Sequence, residues 1–126
     1  MNDYIKIKSL KPFSDVERII VEFLNDNKIK IFAIIDHQRN AEEVSLVLDK
    51  NKVIIFGSPI VGTLLMQDNI DIAMELPLKI CIYETEEKGT NIIYQNIKYL
   101  CKKYNINNID VINKIDNLFN KIIKLV

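Results

Sequence analysis

The segment from Ile35 to Lys79 holds most of the residues that restrict the backbone of this chain. It contains two of the three glycines, two of the three prolines and the only histidine. Glycine permits tight turns and proline fixes its own φ angle, so both residue types mark where elements begin and end. We therefore expect the most closely specified geometry of the molecule, and its functional site, in this segment.

Size and charge restrict the class of protein. A chain of 126 residues with 48% apolar and 27% charged side chains is typical of a single globular domain, here residues 1–126. Its 17 basic and 17 acidic residues balance, which argues against nucleic acid or an anionic membrane as a partner. Because no secretory leader and no apolar run of about 18 residues stand out, a cytoplasmic location is expected.

The first half of the chain alternates predicted strands and helices. Residues 4–8 indicate a half-buried strand, and Ser14 and Glu17 have the spacing of a capping box that opens a helix. The apolar run over 29–35 is typical of a central strand, and Asn40 is expected to cap a short helix that runs through Leu48.

The second half begins with the glycine and proline signals. Ser58 followed by Pro59 predicts the N-cap and first turn of a helix, and Gly89 marks a turn between two hairpin strands. The expected elements are a strand over 53–56, a helix over 59–68, strands over 76–84 and 90–94, a helix over 97–104 and a helix over 109–125. Asn108 is expected to cap the last of these.

The last helix has a wide apolar face. Its stripe consists of Ile112, Ile115, Phe119, Ile122 and Val126. Such a face can complete the core of its own chain or dock a neighbouring subunit. The sequence favours the first arrangement and leaves the second open.

Residues 32–104 contain a combination of motifs that resembles one protein family. The matching residues are Phe32-Ala33-Ile34-Ile35-Asp36-His37, Ala41, Leu48, Ile55-Phe56-Gly57, Pro59, Gly62-Thr63, Leu65-Met66-Gln67, Leu76-Pro77-Leu78-Lys79, Glu84, Tyr94 and Tyr99-Leu100. On these residues the chain resembles the Domain of Unknown Function 302 family, with residues 108–126 as a helical extension beyond the usual end. Ser58 departs from the asparagine usual in the family, although both residues cap helices well.

The resemblance implies an α+β fold and a homodimer. The expected architecture has two layers, similar to TATA-binding-protein-like domains: a mostly antiparallel curved sheet with helices packed on one side, plus an additional C-terminal helix. The family has no established activity, and a shared fold does not carry DNA binding over to this chain.

A site for a small, anionic ligand is predicted at the strand-to-helix junction around Gly57. Glycine lets a ligand approach the backbone closely, and the free amides at a helix start attract negative charge. Hydroxyl groups nearby add hydrogen-bond donors. The predicted ligand-binding residues are His37, Gly57, Ser58, Gly62, Thr63 and Met66.

His37 is the main candidate for acid–base or metal chemistry, with Asp36 as the second catalytic candidate. A pairing of His37 with Met66 is a weak metal candidate, and no spaced ligand motif supports it, so no cofactor is evident. Cys81 and Cys101 lie in apolar runs and are expected as buried free thiols.

Three functions are open on this basis. The leading hypothesis is a domain that binds a small ligand as a homodimer without converting it. The second is an enzyme with His37 as general base and the amides of Ser58 or Thr63 holding an oxyanion. The third is an interaction module that docks through its C-terminal helix. Because no complete catalytic set is present, binding is favoured over catalysis.

Overall fold

A computed structural model describes residues 2–126, which form one antiparallel sheet and its covering helices. The elements are β1 Tyr4–Ser9, α1 Phe13–Asp26, β2 Lys30–Asp36, α2 His37–Glu43, β3 Asn51–Gly57, α3 Pro59–Asp68, a 3₁₀ helix Ile70–Glu75, β4 Leu78–Tyr83, β5 Thr90–Gln95, α4 Ile97–Lys103 and α5 Ile109–Leu125. The strands lie in the order β1-β5-β4-β3-β2, and every neighbouring pair is antiparallel. The predicted α+β class is confirmed.

The core lies between the helices and one face of the sheet. Side chains alternate between the two faces of a strand, and the buried residues of the three inner strands largely follow this alternation. These core positions are Ile54 and Phe56 of β3, Ile80 and Ile82 of β4, and Ile92 of β5. No helix described for residues 2–126 is long and apolar enough to cross a membrane.

The opposite face of the sheet is not part of this core. The strand register places Ile35, Val53, Cys81 and Ile93 in one row across β2, β3, β4 and β5. None of the four belongs to the buried cluster or packs against it. We call this row the apolar row of the open face.

Helix α5 belongs to the core of its own chain. Ile112, Ile115 and Ile122 are at most 8% exposed. The Phe119 ring lies edge-on to Phe56 with 6.0 Å between centroids, and 5.1 Å from the ring of Tyr94. The prediction that this helix packs within its own chain is confirmed. The docking-arm alternative is corrected, because the apolar face that it needs is already buried.

Two helix starts differ from the prediction. α1 begins at Phe13 with Pro12 at the N-cap and no side-chain cap, so Ser14 lies inside the first turn and makes no capping box. α2 begins at His37, because the Asp36 carboxylate accepts a hydrogen bond from the Arg39 amide at 3.0 Å and caps the helix there. Asn40 therefore lies within α2, which ends at Glu43 instead of continuing to residue 48.

Strand β2 is an edge strand, not the central one predicted from its apolar composition. It pairs with β3 alone, across a bulge between Ile31 and Ala33. Phe32 and Ile34 are consequently 43% and 40% exposed. A nearly continuous apolar run predicts burial on both faces, but here part of that surface stays exposed in the residues that the structure describes.

Candidate functional site

The predicted junction between β3 and α3 forms as expected. β3 ends at Gly57, and α3 follows with Pro59 in its first turn. The Ser58 hydroxyl accepts a long hydrogen bond, 3.4 Å, from the Val61 amide. The predicted cap and the length of the helix, to Asp68, are confirmed.

A cavity of about 260 Å³, here called the junction cavity, opens beside this turn. Its lining residues are Phe32, Gly57, Ser58, Pro59, Val61, Gly62, Thr63, Leu65, Met66, Ala73, Leu76, Pro77, Leu78 and Ile115. Leu65, Leu78 and Ile115 form its buried base, each at most 5% exposed. Five of the six predicted ligand-binding residues are therefore brought together, and their surroundings are mainly apolar.

Gly57 and Gly62, which line the junction cavity, leave space for a methyl group. A methyl group at Gly57 would lie 3.7 Å from the Phe32 ring. At Gly62 it would lie 3.8 Å from the Leu76 side chain and 4.0 Å from that of Met66, both ordinary van der Waals distances. A larger side chain at Gly62 would therefore extend among residues that line the cavity, without a backbone clash at its Cβ.

One wall of the junction cavity is held by hydrogen bonds to the segment 75–77. The Gln95 amide donates to the Glu75 carbonyl at 2.6 Å, and its oxygen accepts from the Lys79 backbone amide at 3.0 Å. The Lys79 ammonium donates to the carbonyls of Glu75 and Pro77, and burial lowers the pKa of this group. These contacts position Leu76 and Pro77, which are joined by a cis peptide bond, against the cavity.

Exposed apolar side chains adjoin the junction cavity. Ile60 is 73% exposed and Met74 is 84% exposed, and each follows a lining residue in the chain. Only Leu65 of α3 is buried, although most of that helix is apolar. A surface helix normally turns its apolar side to the core and its polar side to water. The mainly apolar lining of this cavity favours an apolar group as its occupant.

The structure does not bring His37 to the junction. In the β2–β3 register Lys30 lies opposite Gly57, whereas Asp36 lies opposite Lys52 at the other end of the pair. Six residues of strand separate these ends, a span of about 20 Å. His37 begins α2 beyond the far end, exposed and outside the lining of the junction cavity. The expected grouping of His37 with Ser58, Thr63 and Met66 is corrected accordingly.

The candidate groups for catalysis and metal binding are dispersed. Asp36 is engaged as the cap of α2. Within residues 2–126 no three His, Cys, Asp or Glu side chains are grouped to hold a metal ion. Cys101 is buried as predicted, whereas Cys81, on the open face, is half-buried and not fully buried as expected. Burial, with Asp68 nearby, raises the pKa of the Cys101 thiol to about 11, and burial also raises that of Cys81.

A second cavity, of about 420 Å³, adjoins the same junction. It shares Gly57, Ser58, Val61, Leu78 and Ile115 with the junction cavity. Its other lining residues are Phe23, Asn27, Lys28, Ile29, Lys114, Asn117, Leu118 and Lys121. We call it the lysine cleft.

The three lysines of this cleft were not among the site residues predicted from the sequence. Lys114 and Lys121 are seven residues apart, which places them on the same side of α5, and that spacing was a usable signal. Lys28 follows α1, far away in the chain. Only the packing of α1 and α5 brings the three together.

The family profile described as "Domain of unknown function DUF302" matches residues 5–122. The chain belongs to this family. The resemblance found over residues 32–104 is confirmed, and the DUF302 match also includes most of α5, which we had placed beyond the usual end.

A solved structure of another protein has the same fold. The solved structure titled "Crystal structure of uncharacterized conserved protein DUF302 from Bacillus stearothermophilus" superimposes with a TM-score of 0.77 at 11% sequence identity. The superposition covers 99% of this chain and 96% of the other. This similarity shows that the two proteins share a fold.

Two curated relatives match part of the chain. They are proteins named "Fluoride-specific ion channel FluC 1" from Brucella suis and Brucella abortus. Each is 39% identical over 56 residues, which is 44% of this DUF302 chain. The match spans only 22% and 21% of the length of those proteins, respectively.

Proposed function

We propose that this DUF302 domain binds a small amphipathic ligand in the junction cavity and releases it unchanged. The observation that supports the proposal is the convergence of Gly57, Ser58, Gly62, Thr63 and Met66 on one cavity with a buried apolar base. Apolar lining with a few hydrogen-bonding groups is typical of small-molecule sites.

The dimensions and chemistry of the cavity favour a short hydrocarbon body with an anionic end. Small-molecule pockets are commonly about 300–1,000 Å³, so 260 Å³ suits a ligand of few carbon atoms. Each buried methylene group contributes about 0.8 kcal/mol to binding. The Ser58 hydroxyl and the positive end of the α3 dipole lie at the junction, where they favour a negative group.

Binding without conversion accords with the separation of the reactive groups. His37 lies at the far end of β2, and Asp36 caps α2. Thiolate is the nucleophilic form of cysteine, and the raised pKa of both thiols disfavours it. The enzyme hypothesis built on His37 therefore lacks a shared pocket for its parts.

The ligand proposal is tested by titrating the protein with straight-chain carboxylates from acetate to octanoate, followed by nuclear magnetic resonance or calorimetry. We expect affinity to rise with chain length until the cavity is full. Gly62→Leu, which fills the cavity, should weaken binding of the preferred carboxylate by about tenfold, equivalent to about 1.4 kcal/mol.

Gly62→Ala is the matched control, because its methyl group meets neighbours only at ordinary contact distances. We expect it to stabilise α3 by about 0.5–1 kcal/mol and to change affinity far less than leucine does. Chain-length-independent binding, or equal affinity in the parent and the leucine variant, would contradict the proposal.

We also propose that the domain acts as a homodimer through the open face of its sheet. An antiparallel sheet with a solvated face normally carries polar residues there, but this face has the apolar row Ile35, Val53, Cys81 and Ile93. Two copies stacked face to face, about 10 Å apart, would bury both rows. The cytoplasmic location expected from the sequence stays a prediction.

Val53→Lys tests this interface, because it places a charge at the centre of the row without entering the helix-covered core. We expect sedimentation equilibrium to show a dimer for the parent and a folded monomer for the variant. The control is Ile109→Lys, which adds the same charge at a residue 60% exposed at the start of α5. A monomeric parent, or a Val53→Lys dimer as tight as that of the parent, would exclude this assembly.

A further inference from the structure

We propose that the lysine cleft is the second half of the same binding site and that it holds the phosphate group of a phosphorylated amphipathic ligand. The inference rests on the proposed function, because it assigns the anionic end of a ligand whose body occupies the junction cavity. In this proposal the anionic end of the ligand is a phosphate, which carries more charge than the simple carboxylate used to test the junction cavity.

The first observation is that acidic residues do not balance the positive charge of the lysine cleft. Lys28, Lys114 and Lys121 line one concavity, and no acidic side chain is among its lining residues. None of the three takes part in an ion pair in residues 2–126. The chain as a whole has a formal charge of zero, so this concentration of charge is local.

The positions of the three lysines are set by backbone structure. Lys114 and Lys121 lie two turns apart on α5, about 10 Å along its axis. Lys28 has a φ of 57° and donates its backbone N–H to the Asn25 carbonyl at 3.0 Å, which fixes the turn after α1. A group between these two elements is accessible to ammonium groups from both.

Apolar side chains line the cleft beside its lysines, and they strengthen the attraction between these lysines and a bound anion. Phe23, Ile29 and Leu118 are half-buried among its lining residues, and the exposed Asn27 and Asn117 also line it. Charges interact more strongly beside apolar surface than in open water. A carboxylate carries one negative charge, whereas a phosphate monoester carries about 1.5 to 2 at neutral pH and has three acceptor oxygens. Three lysines therefore match a phosphate better than a carboxylate.

The two cavities adjoin each other at the junction. They share five lining residues, among them Ser58 and Val61 of the capped turn and Ile115 of α5. A ligand at the junction is therefore adjacent to both the junction cavity and the lysine cleft. A nucleic-acid polymer would instead require an extended basic stripe, which the single concave cleft does not provide.

The test uses three probes that separate the halves of the site: inorganic pyrophosphate, hexanol and hexyl phosphate. We expect the parent to bind pyrophosphate saturably, and hexyl phosphate more tightly than either other probe. Lys114→Gln combined with Lys121→Gln should weaken pyrophosphate and hexyl phosphate by about tenfold or more, and leave hexanol unchanged.

The matched control combines Lys102→Gln with Lys124→Gln, which removes the same charge from exposed lysines outside the cleft. We expect its affinity for pyrophosphate to stay within about twofold of the parent's, since exposed charges at a distance are screened by salt. An equal loss in both double variants, or pyrophosphate binding that does not saturate, would overturn the assignment.

The probes also distinguish failure of the inference from failure of the proposed function. In one outcome, the parent binds hexanol but not pyrophosphate, and Gly62→Leu loses the hexanol binding. That outcome would overturn the assignment of the lysine cleft and would still support the junction cavity as a binding site. Lysine-dependent pyrophosphate binding without any hexanol binding would overturn the bipartite site and the proposed function together. Tighter binding of hexyl phosphate, sensitive to changes in both halves, supports both.

Discussion

Replacing Phe119 with alanine is expected to destabilise the folded chain by about 3–5 kcal/mol. Phe119 is 1% exposed and contacts the rings of Phe56 and Tyr94, so its removal leaves a cavity between α5 and the sheet. Small domains are stable by about 5–15 kcal/mol in total, which makes this a large fraction. Urea unfolding followed by circular dichroism measures the change as a lower midpoint.

Leu125→Ala is the control for this variant. Leu125 lies on the same helix but is 46% exposed, so we expect its replacement to cost well under 1 kcal/mol. A Phe119→Ala protein as stable as the parent would contradict the conclusion that α5 is part of the core, and would restore the idea of a separable docking helix.

Replacing Gly89 with alanine is the second large change, with an expected loss of about 3 kcal/mol. Gly89 has a φ of 93°, a conformation that costs a residue with a side chain about 1–3 kcal/mol. An added Cβ would also collide with the backbone carbonyl oxygen of Ser9 at the end of β1. Ser9 is itself fixed, because its hydroxyl donates to the Val126 carbonyl.

The collision at Ser9 gives this variant a specific signature. Moving the Ser9 backbone disturbs the last pair of the β1–β5 ladder, Ser9 with Thr90. Hydrogen exchange should therefore accelerate in β1 more than in β2 or β3. Lys88→Ala, in the same exposed turn, is the control and should alter stability by less than about 0.5 kcal/mol. Unchanged exchange and stability in Gly89→Ala would refute the steric argument.

Periodicity was sufficient to predict most elements and both hairpin strands after residue 77. It gave wrong predictions for the position of β2 in the sheet and for the first residue of two helices, where the local pattern competes with strand order or with a second capping residue. The apolar run of β2 predicts a central strand, yet topology leaves it at the edge of the sheet. The capping residues Ser14 and Asn40 were plausible, but Pro12 and Asp36 start the helices earlier. A sequence pattern shows which residues can cap a helix and does not show which one does.

The candidate site was predicted in part. Gly57, Ser58, Gly62, Thr63 and Met66 are close in sequence, and one strand-to-helix turn was enough to group them. His37 was grouped with them because it belongs to the same segment rich in glycine, proline and polar groups. Because β3 runs antiparallel to β2, Gly57 lies at the end of this strand pair that is farther from His37. No local sequence pattern reveals this arrangement.

The sequence by itself determined the turn at Gly57 and the amphipathic character of α5, because these depend on short-range periodicity and backbone preference. Its motifs also carried the resemblance to the family, and that resemblance implied the α+β class. The tertiary structure decided that the face of α5 is buried, that the junction carries a cavity, and that Lys28, Lys114 and Lys121 line one cleft. Such contacts join residues distant in the chain. They follow from strand order and helix packing, which local sequence signals do not specify.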